Sequence, residues 1–165
     1  MRTISILSLF LVLLLHAGCS KDDGRPADMP KLYPVSISII QDGKPLDGAT
    51  VTLVARAPAV AQYGRSAGTT VAGTVSLRTY GYNGVPAGEH AVLVEKRVTE
   101  GGQEIIEDER VVGTRGGRIY QLVDTKFTTE ASTPLSITVQ EKGKTSETFD
   151  VGAAVRVFLF ERTSD

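Results

Sequence analysis

From Tyr33 onward the chain alternates apolar and polar residues with a period of two. In Val35-Ser36-Ile37-Ser38-Ile39 the branched apolar side chains fall on one face and the serines on the other. Thr50-Val51-Thr52-Leu53 repeats the pattern, as do Thr74-Val75-Ser76-Leu77-Arg78 and Leu135-Ser136-Ile137-Thr138-Val139. His90 to Lys96 is more continuously apolar, with Val92 and Val94 as the inward pair. Thr148-Phe149-Asp150-Val151 and Val155 to Phe160 complete about seven predicted strands, and the abundance of Val, Ile and Thr suits a pleated sheet. Turn formers separate these runs: Asp42-Gly43, Asp47-Gly48, Asn83-Gly84, Pro86-Ala87-Gly88 and Lys142-Gly143. No stretch after the leader has a convincing helical period; Gln103 to Arg110, read as a solvated loop or short helix, comes nearest. Strands with one apolar face and short connections predict an all-β, antiparallel sandwich of about a hundred residues.

The beginning of the chain follows a different rule. Ile4 to Leu15 is apolar except for Ser5 and Ser8, and Arg2 precedes it. Twelve residues of helix reach about 18 Å, short of the ~30 Å hydrocarbon core of a bilayer, so the stretch fits a secretory leader. It ends in His16-Ala17-Gly18-Cys19, which resembles the lipobox of bacterial lipoproteins, with His16 where that pattern usually has Leu. The resemblance implies cleavage after residue 18 and acylation of Cys19, hence a membrane partner through lipid and a place in the cell envelope. Ser20, rather than Asp, follows the cysteine and points to the outer membrane. Residues 20–32 are polar, contain Pro26 and Pro30, and predict a flexible tether of at most ~45 Å.

Composition removes several classes of function. With 18 Lys+Arg against 19 Asp+Glu there is no electrostatic footprint for nucleic acid. The single Cys excludes an intramolecular disulfide, and one of the two His lies in the leader, which excludes a site built from several histidines. The absence of Trp makes stacking platforms for sugars scarce.

Asp42-Gly43-Lys44-Pro45-Leu46-Asp47-Gly48-Ala49-Thr50-Val51 and Gly84-Val85-Pro86-Ala87-Gly88-Glu89-His90 resemble carboxypeptidase-regulatory-like, or prealbumin-like (transthyretin-like), domains. Phe127 to Leu135 and Phe149-Asp150-Val151 resemble the closing half of small envelope lipoproteins built on that domain. The resemblance implies a Greek-key β-sandwich over residues 33–152, leaving 153–165 as an extra strand and tail. It implies nothing about activity, because the shared residues are turn formers. Thr70-Val71-Ala72-Gly73 lacks the Asp that the family carries there.

Candidate chemistry is sparse. His90 is the only imidazole after the leader and reads as a partly exposed strand residue, with no nucleophile-elbow motif to accompany it. Asp42, Asp47 and Asp124 have the oxygen chemistry of calcium ligands but are accounted for as turn formers. Glu100 to Arg110 carries five carboxylates without a His or Cys partner, and Thr114-Arg115-Gly116-Gly117-Arg118 lacks phosphate-loop spacing. No catalytic residue, metal or cofactor is assigned. The remaining candidate is a contact surface. Alternation in Val155 to Phe160 places Arg156, Phe158 and Phe160 on one face, and aromatic residues with Arg are the types that concentrate binding energy at interfaces. The expected function is a non-catalytic, membrane-anchored envelope module that contacts a protein or glycan in adhesion or assembly. The alternative is an accessory for carbohydrate or small-ligand binding, and an enzyme is disfavoured.

Overall fold

The computed structural model describes residues 24–56, 62–105 and 117–162. The described secondary structure is strand, apart from short 3-10 turns such as Thr125–Phe127, so the chain is all-β. In chain order the strands are β1 (Leu32–Tyr33), β2 (Val35–Gln41), β3 (Lys44–Pro45), β4 (Thr50–Ala55), β5 (Arg65–Thr69), β6 (Thr74–Ser76), β7 (Arg78–Thr79) and β8 (Tyr82–Asn83). They continue with β9 (Val85–Pro86), β10 (Gly88–Glu95), β11 (Arg97–Thr99), β12 (Glu104–Ile105), β13 (Gly117–Gln121), β14 (Ser136–Val139), β15 (Thr145–Asp150) and β16 (Val157–Arg162).

Two sheets form a sandwich. One runs β14-β10-β4-β5-β7-β8; the other runs β15-β2-β3, with β6 also paired to β2. The period-two pattern explains why they pack. Val35, Ile37 and Ile39 of β2, Val51 and Leu53 of β4, Val92 and Val94 of β10, and Ile137 and Val139 of β14 belong to one buried cluster. Their serine and threonine neighbours face outward. At roughly 1.5–3 kcal/mol for each large apolar side chain buried, this cluster is the main stabilising term. Gly68 lets the sheets converge beside β6, because a Cβ there would lie 2.6 Å from the Val75 side chain and 2.7 Å from the Ser76 carbonyl. A buried polar chain closes the same flank. Thr79 donates its hydroxyl hydrogen to the Gly84 carbonyl at 2.7 Å, so the 2.7 Å contact with Ser66 takes its hydrogen from Ser66.

Three expectations are corrected. The sheets are antiparallel except at one place: β15 pairs with β2 in parallel, Thr145 opposite Val35 and Asp150 opposite Ile40. The chain crosses from β14 in one sheet to β15 in the other, so β15 reaches β2 running in the same direction. The loop or short helix expected at 103–110 begins as strand, Glu104 and Ile105 pairing with Val98 and Arg97, and residues 106–110 lie outside the described residues. Pairing with β11 decides the conformation there, where the local pattern is weak. His90, expected to be partly exposed, is fully buried between Ala55 and Ile137 on the inward face of β10. β10 is a central strand rather than an edge, and that decides its burial.

The turns match their chemistry. Asp42 and Gly43 both have positive φ, 51° and 70°, as a two-residue hairpin turn requires. The registers also give the molecule two ends. β2 and β15 run away from the end where β1 pairs with β9 and where β10 begins. The far end holds the Asp42-Gly43, Asp47-Gly48 and Val71-Gly73 turns and the exit of β10 into β11. At ~3.3 Å per residue the eight residues of β10 span about 25 Å between them.

The segment read as a tether is fastened to the near end from Gly24 on. The Gly24 carbonyl accepts from the Tyr82 hydroxyl at 2.6 Å, and the Arg25 guanidinium lies 5.7 Å from the centre of the Tyr82 ring. Asp28 accepts from the Tyr63 hydroxyl at 2.6 Å and from Gln62 Nε2 at 2.9 Å. That hydrogen bond lowers the Asp28 carboxyl below its usual range and raises the Tyr63 phenol to about 12. Residues 1–18 and Cys19 lie outside the described residues.

Candidate functional site

At the far end the chain builds a second, smaller four-stranded sheet, an arm with the order β12-β11-β13-β16. Its root is tied to the sandwich by polar contacts. Lys96 Nζ donates to the Asp47 carbonyl at 2.6 Å and pairs with Glu104 at 2.7 Å, and Gln41 Nε2 donates to the Leu122 carbonyl at 3.0 Å. Val157–Arg162 are therefore an edge of the arm, paired to β13, and no part of the sandwich sheets.

Two of the three contact residues expected from sequence come together, and the third does not. Ile119 pairs with Phe160 and Tyr120 with Phe158, so one residue of β16, Leu159, is extra and forms a bulge. Consecutive residues of β13 point to opposite faces. Phe158 therefore lies on the Tyr120 face and Phe160 on the Ile119 face, which corrects the reading that placed both phenylalanines with Arg156. Strict alternation fails here because the bulge resets its phase.

The Tyr120 face carries the arrangement that sequence reading missed. Tyr120 meets Phe158 edge to face, ring centres 6.0 Å apart, and the Arg156 guanidinium lies 4.3 Å from the centre of the Tyr120 ring. Arg156 Nη2 donates to the Glu100 carbonyl at 3.0 Å, and the Glu100 carboxylate lies 4.0 Å from Arg118. A hydrogen bond with Tyr120, with the Glu100 charge second, holds Arg118 above its already high pKa. Tyr120 was legible only as an aromatic residue within Gly117–Gln121, a run without clean alternation. Around this group β16 exposes Val157, Phe158, Leu159 and Phe160, with Phe158 52% and Phe160 47% accessible. Among the described residues the outer edge of β16 pairs with no strand.

The other candidates are spent on structure. Asp42 accepts from the Ala154 amide at 3.1 Å, Asp47 from the Ala72 amide at 2.8 Å, and Asp124 from the Lys126 amide at 3.0 Å. Among the described residues no three His, Cys, Asp or Glu side chains gather as metal ligands. His90 lies 3.0 Å from the Gly88 carbonyl through Nδ1. A carbonyl can only accept, so Nδ1 carries the proton and Nε2 is left without a partner. Burial pushes the pKa of His90 down, the Gly88 contact opposing it. Among the described residues the imidazole has no hydrogen-bonded hydroxyl or carboxylate partner.

Among the described residues, grooves line the sandwich. One, of about 660 Å³, runs beside β5, β6 and β7, lined among others by Ala67, Thr69, Thr74 and Arg78. Another, of about 410 Å³, is shallow and lined by Ser36, Ser38, Ser146, Glu147 and Thr148. Neither holds an aromatic platform. No protein-family model matches the chain, and neither does any curated protein or solved structure.

Proposed function

We propose that the protein is a lipid-anchored, non-catalytic module of the cell envelope that presents the β16 edge of its arm to a protein partner. One observation carries this reading: the molecule has two ends with opposite character. The N-terminal segment is fastened at one end, five residues after Cys19, while the apolar strand β16, whose outer edge pairs with no strand among the described residues, lies at the other. An anchor at Cys19 leaves β16 on the side away from the bilayer, where a partner reaches it. The leader and Cys19 support the anchor by their resemblance to a lipoprotein signal. The prealbumin-like reading of the sandwich belongs to the same proposal, supported by the turn phrases and by the two packed sheets.

A strand edge offers backbone donors and acceptors for pairing, and exposed side chains on both faces offer pockets and anchors to a partner's alternate residues. Tyr120, Phe158 and Arg156 form the anchor cluster on one face. A protein partner is favoured over a glycan, because the aromatic residues stand beside a free strand edge rather than in a groove.

The test has two parts. Cys19→Ser should leave the fold intact and abolish lipid labelling; undiminished labelling overturns the anchor. Phe158→Ser combined with Phe160→Ser should leave the melting temperature nearly unchanged and abolish cross-linking of the full chain to its envelope partner. A loss of stability of about 3–5 kcal/mol per residue, the size seen for buried phenylalanines, assigns the pair to a core and removes the contact surface.

A further inference from the structure

The near end of the sandwich has its own composition. Tyr33, Tyr63, Tyr80 and Tyr82, four of the five tyrosines in the chain, gather there. Tyr80 stands 70% exposed at the turn between β7 and β8, its ring edge to face with Tyr63 at 5.5 Å. The same end carries Arg25, Lys31, Arg56, Arg65, Lys142 and Lys144, all on the surface. The registers place them together. Arg65 pairs with Val54 beside the end of β4, and residues 140–144 link the last residue of β14, opposite Gly88, to the first of β15, opposite Val35. Among the described residues the acidic ones of this end are Asp28, hydrogen-bonded to Tyr63 and Gln62, Glu89, paired with Arg56, and Glu141. Among those residues positive charge is in excess. At the far end the turns instead carry Asp42 and Asp47.

We infer that this basic, tyrosine-rich end docks on an anionic lipid surface. Three independent features converge on that occupant. Tyrosine suits the boundary between headgroups and water, where one end of the ring is apolar and the other polar; of the four, Tyr80 is exposed, Tyr33 and Tyr82 are half-buried and Tyr63 is buried. Clustered Lys and Arg are attracted to anionic headgroups within a Debye length. The chain length sets the distance: five residues separate Cys19 from the Gly24 carbonyl bound by Tyr82, a reach of about 18 Å. That is far less than the ~45 Å that residues 20–32 would allow if all were free. The domain then stands upright on the bilayer with its arm held outward. Only the tether length rests on the lipid-anchored reading; the charge and the tyrosines do not.

The experiment places single cysteines in the full chain, Gln140→Cys at the near end and Ala153→Cys at the far end, both exposed positions. The protein, as processed by the cell, is incorporated into vesicles of phosphatidylcholine alone or mixed in equal parts with phosphatidylglycerol. A water-soluble maleimide then reports access. Docking predicts labelling at position 140 slowed roughly tenfold in the anionic vesicles and restored by high salt, with position 153 open throughout. Equal labelling at 140 and 153 in the anionic vesicles, or protection of 153 instead, overturns the proposal. The parent chain reads the anchor separately, since labelling of Cys19 itself shows that it carries no lipid. The same two positions in a Cys19→Ser background, with vesicles added, keep the readout: protection of 140 by anionic lipid persists there, weaker, and its absence overturns docking.

Discussion

Strand β15 of the sandwich and strand β16 of the arm are both edges, and they treat the exposed side of a sheet differently. On β15 the register places Glu147 opposite Ile37, on the side that faces the core, yet the glutamate stays exposed, and Ser146 and Thr148 cover the other face. A charge on the inward side of an edge strand discourages another chain from pairing with it. On β16 no such residue interrupts Val157-Phe158-Leu159-Phe160, and all four are exposed. Beneath β15 the cluster of Ile37, Ile39, Val92 and Val94 is sealed from water. In the arm Val98 and Ile119 are buried, while Phe158 and Phe160 of β16 are exposed. The same chain blunts one edge and leaves the other apolar, which is why the second is read as a contact surface.

The sharpest way to break this comparison is a charge on each face of β2. Ile37→Asp puts an unpaired carboxylate among fully buried apolar residues and should unfold the sandwich, a loss above ~4 kcal/mol. Ser38→Asp, one residue along and facing outward, should change stability by less than ~0.5 kcal/mol. Chemical denaturation of the two variants measures both, and similar losses would mean that the two faces are not distinct. Next in size is a gain at the arm's root. Gln121 is buried, and among the described residues neither amide atom of its side chain has a partner. Gln121→Leu keeps the approximate volume and removes that desolvation cost, so it should stabilise the protein by about 1–3 kcal/mol. A loss instead would show that the amide is satisfied.

The smallest effect is a pH dependence confined to the sandwich. The pKa of His90 is lowered in the fold, so the unfolded chain binds the proton more readily. Stability is greatest above the unfolded value near 6.5 and falls as the pH drops from there toward the folded value. His90→Phe should flatten that slope in melting temperature between pH 7 and 5, approximate limits set by the same reference value. An unchanged slope would assign it to other groups. The Asp28–Tyr63 hydrogen bond works in both directions. Its contribution through Asp28 is lost as pH falls below the carboxylate range. Its contribution through Tyr63 is complete below about 10 and lost as pH rises through about 12.

How much of this was legible depended on whether neighbours along the chain or distant residues decided the outcome. β2, β4 and β14 were readable because each buries one face, so alternation in the sequence is alternation in space. The Asp42-Gly43 turn was readable because two positive φ angles select those residue types. The burial of His90 was not, since it depends on β14 flanking β10 across more than forty residues of chain. The arm was hidden for the same reason: β11 takes β13 as a partner about twenty residues on, and β13 takes β16, farther along the chain. The bulge at Leu159 carries no Gly or Pro to mark it, and it alone separated Phe160 from Arg156 and Phe158. The fastening of residues 24–31 needed Tyr63 and Tyr82, which their polar, proline-containing sequence does not announce.

The central claim is that β16 is an uncovered edge on a sealed sandwich, and amide hydrogen exchange on the intact protein tests it most directly. Amides of β2, β4 and β10 should be protected to the level of global unfolding, while those of β16 exchange much earlier through local opening of the arm. Protection of β16 as deep as that of β10, in the protein without a partner, would show that the edge is already covered and would contradict the account.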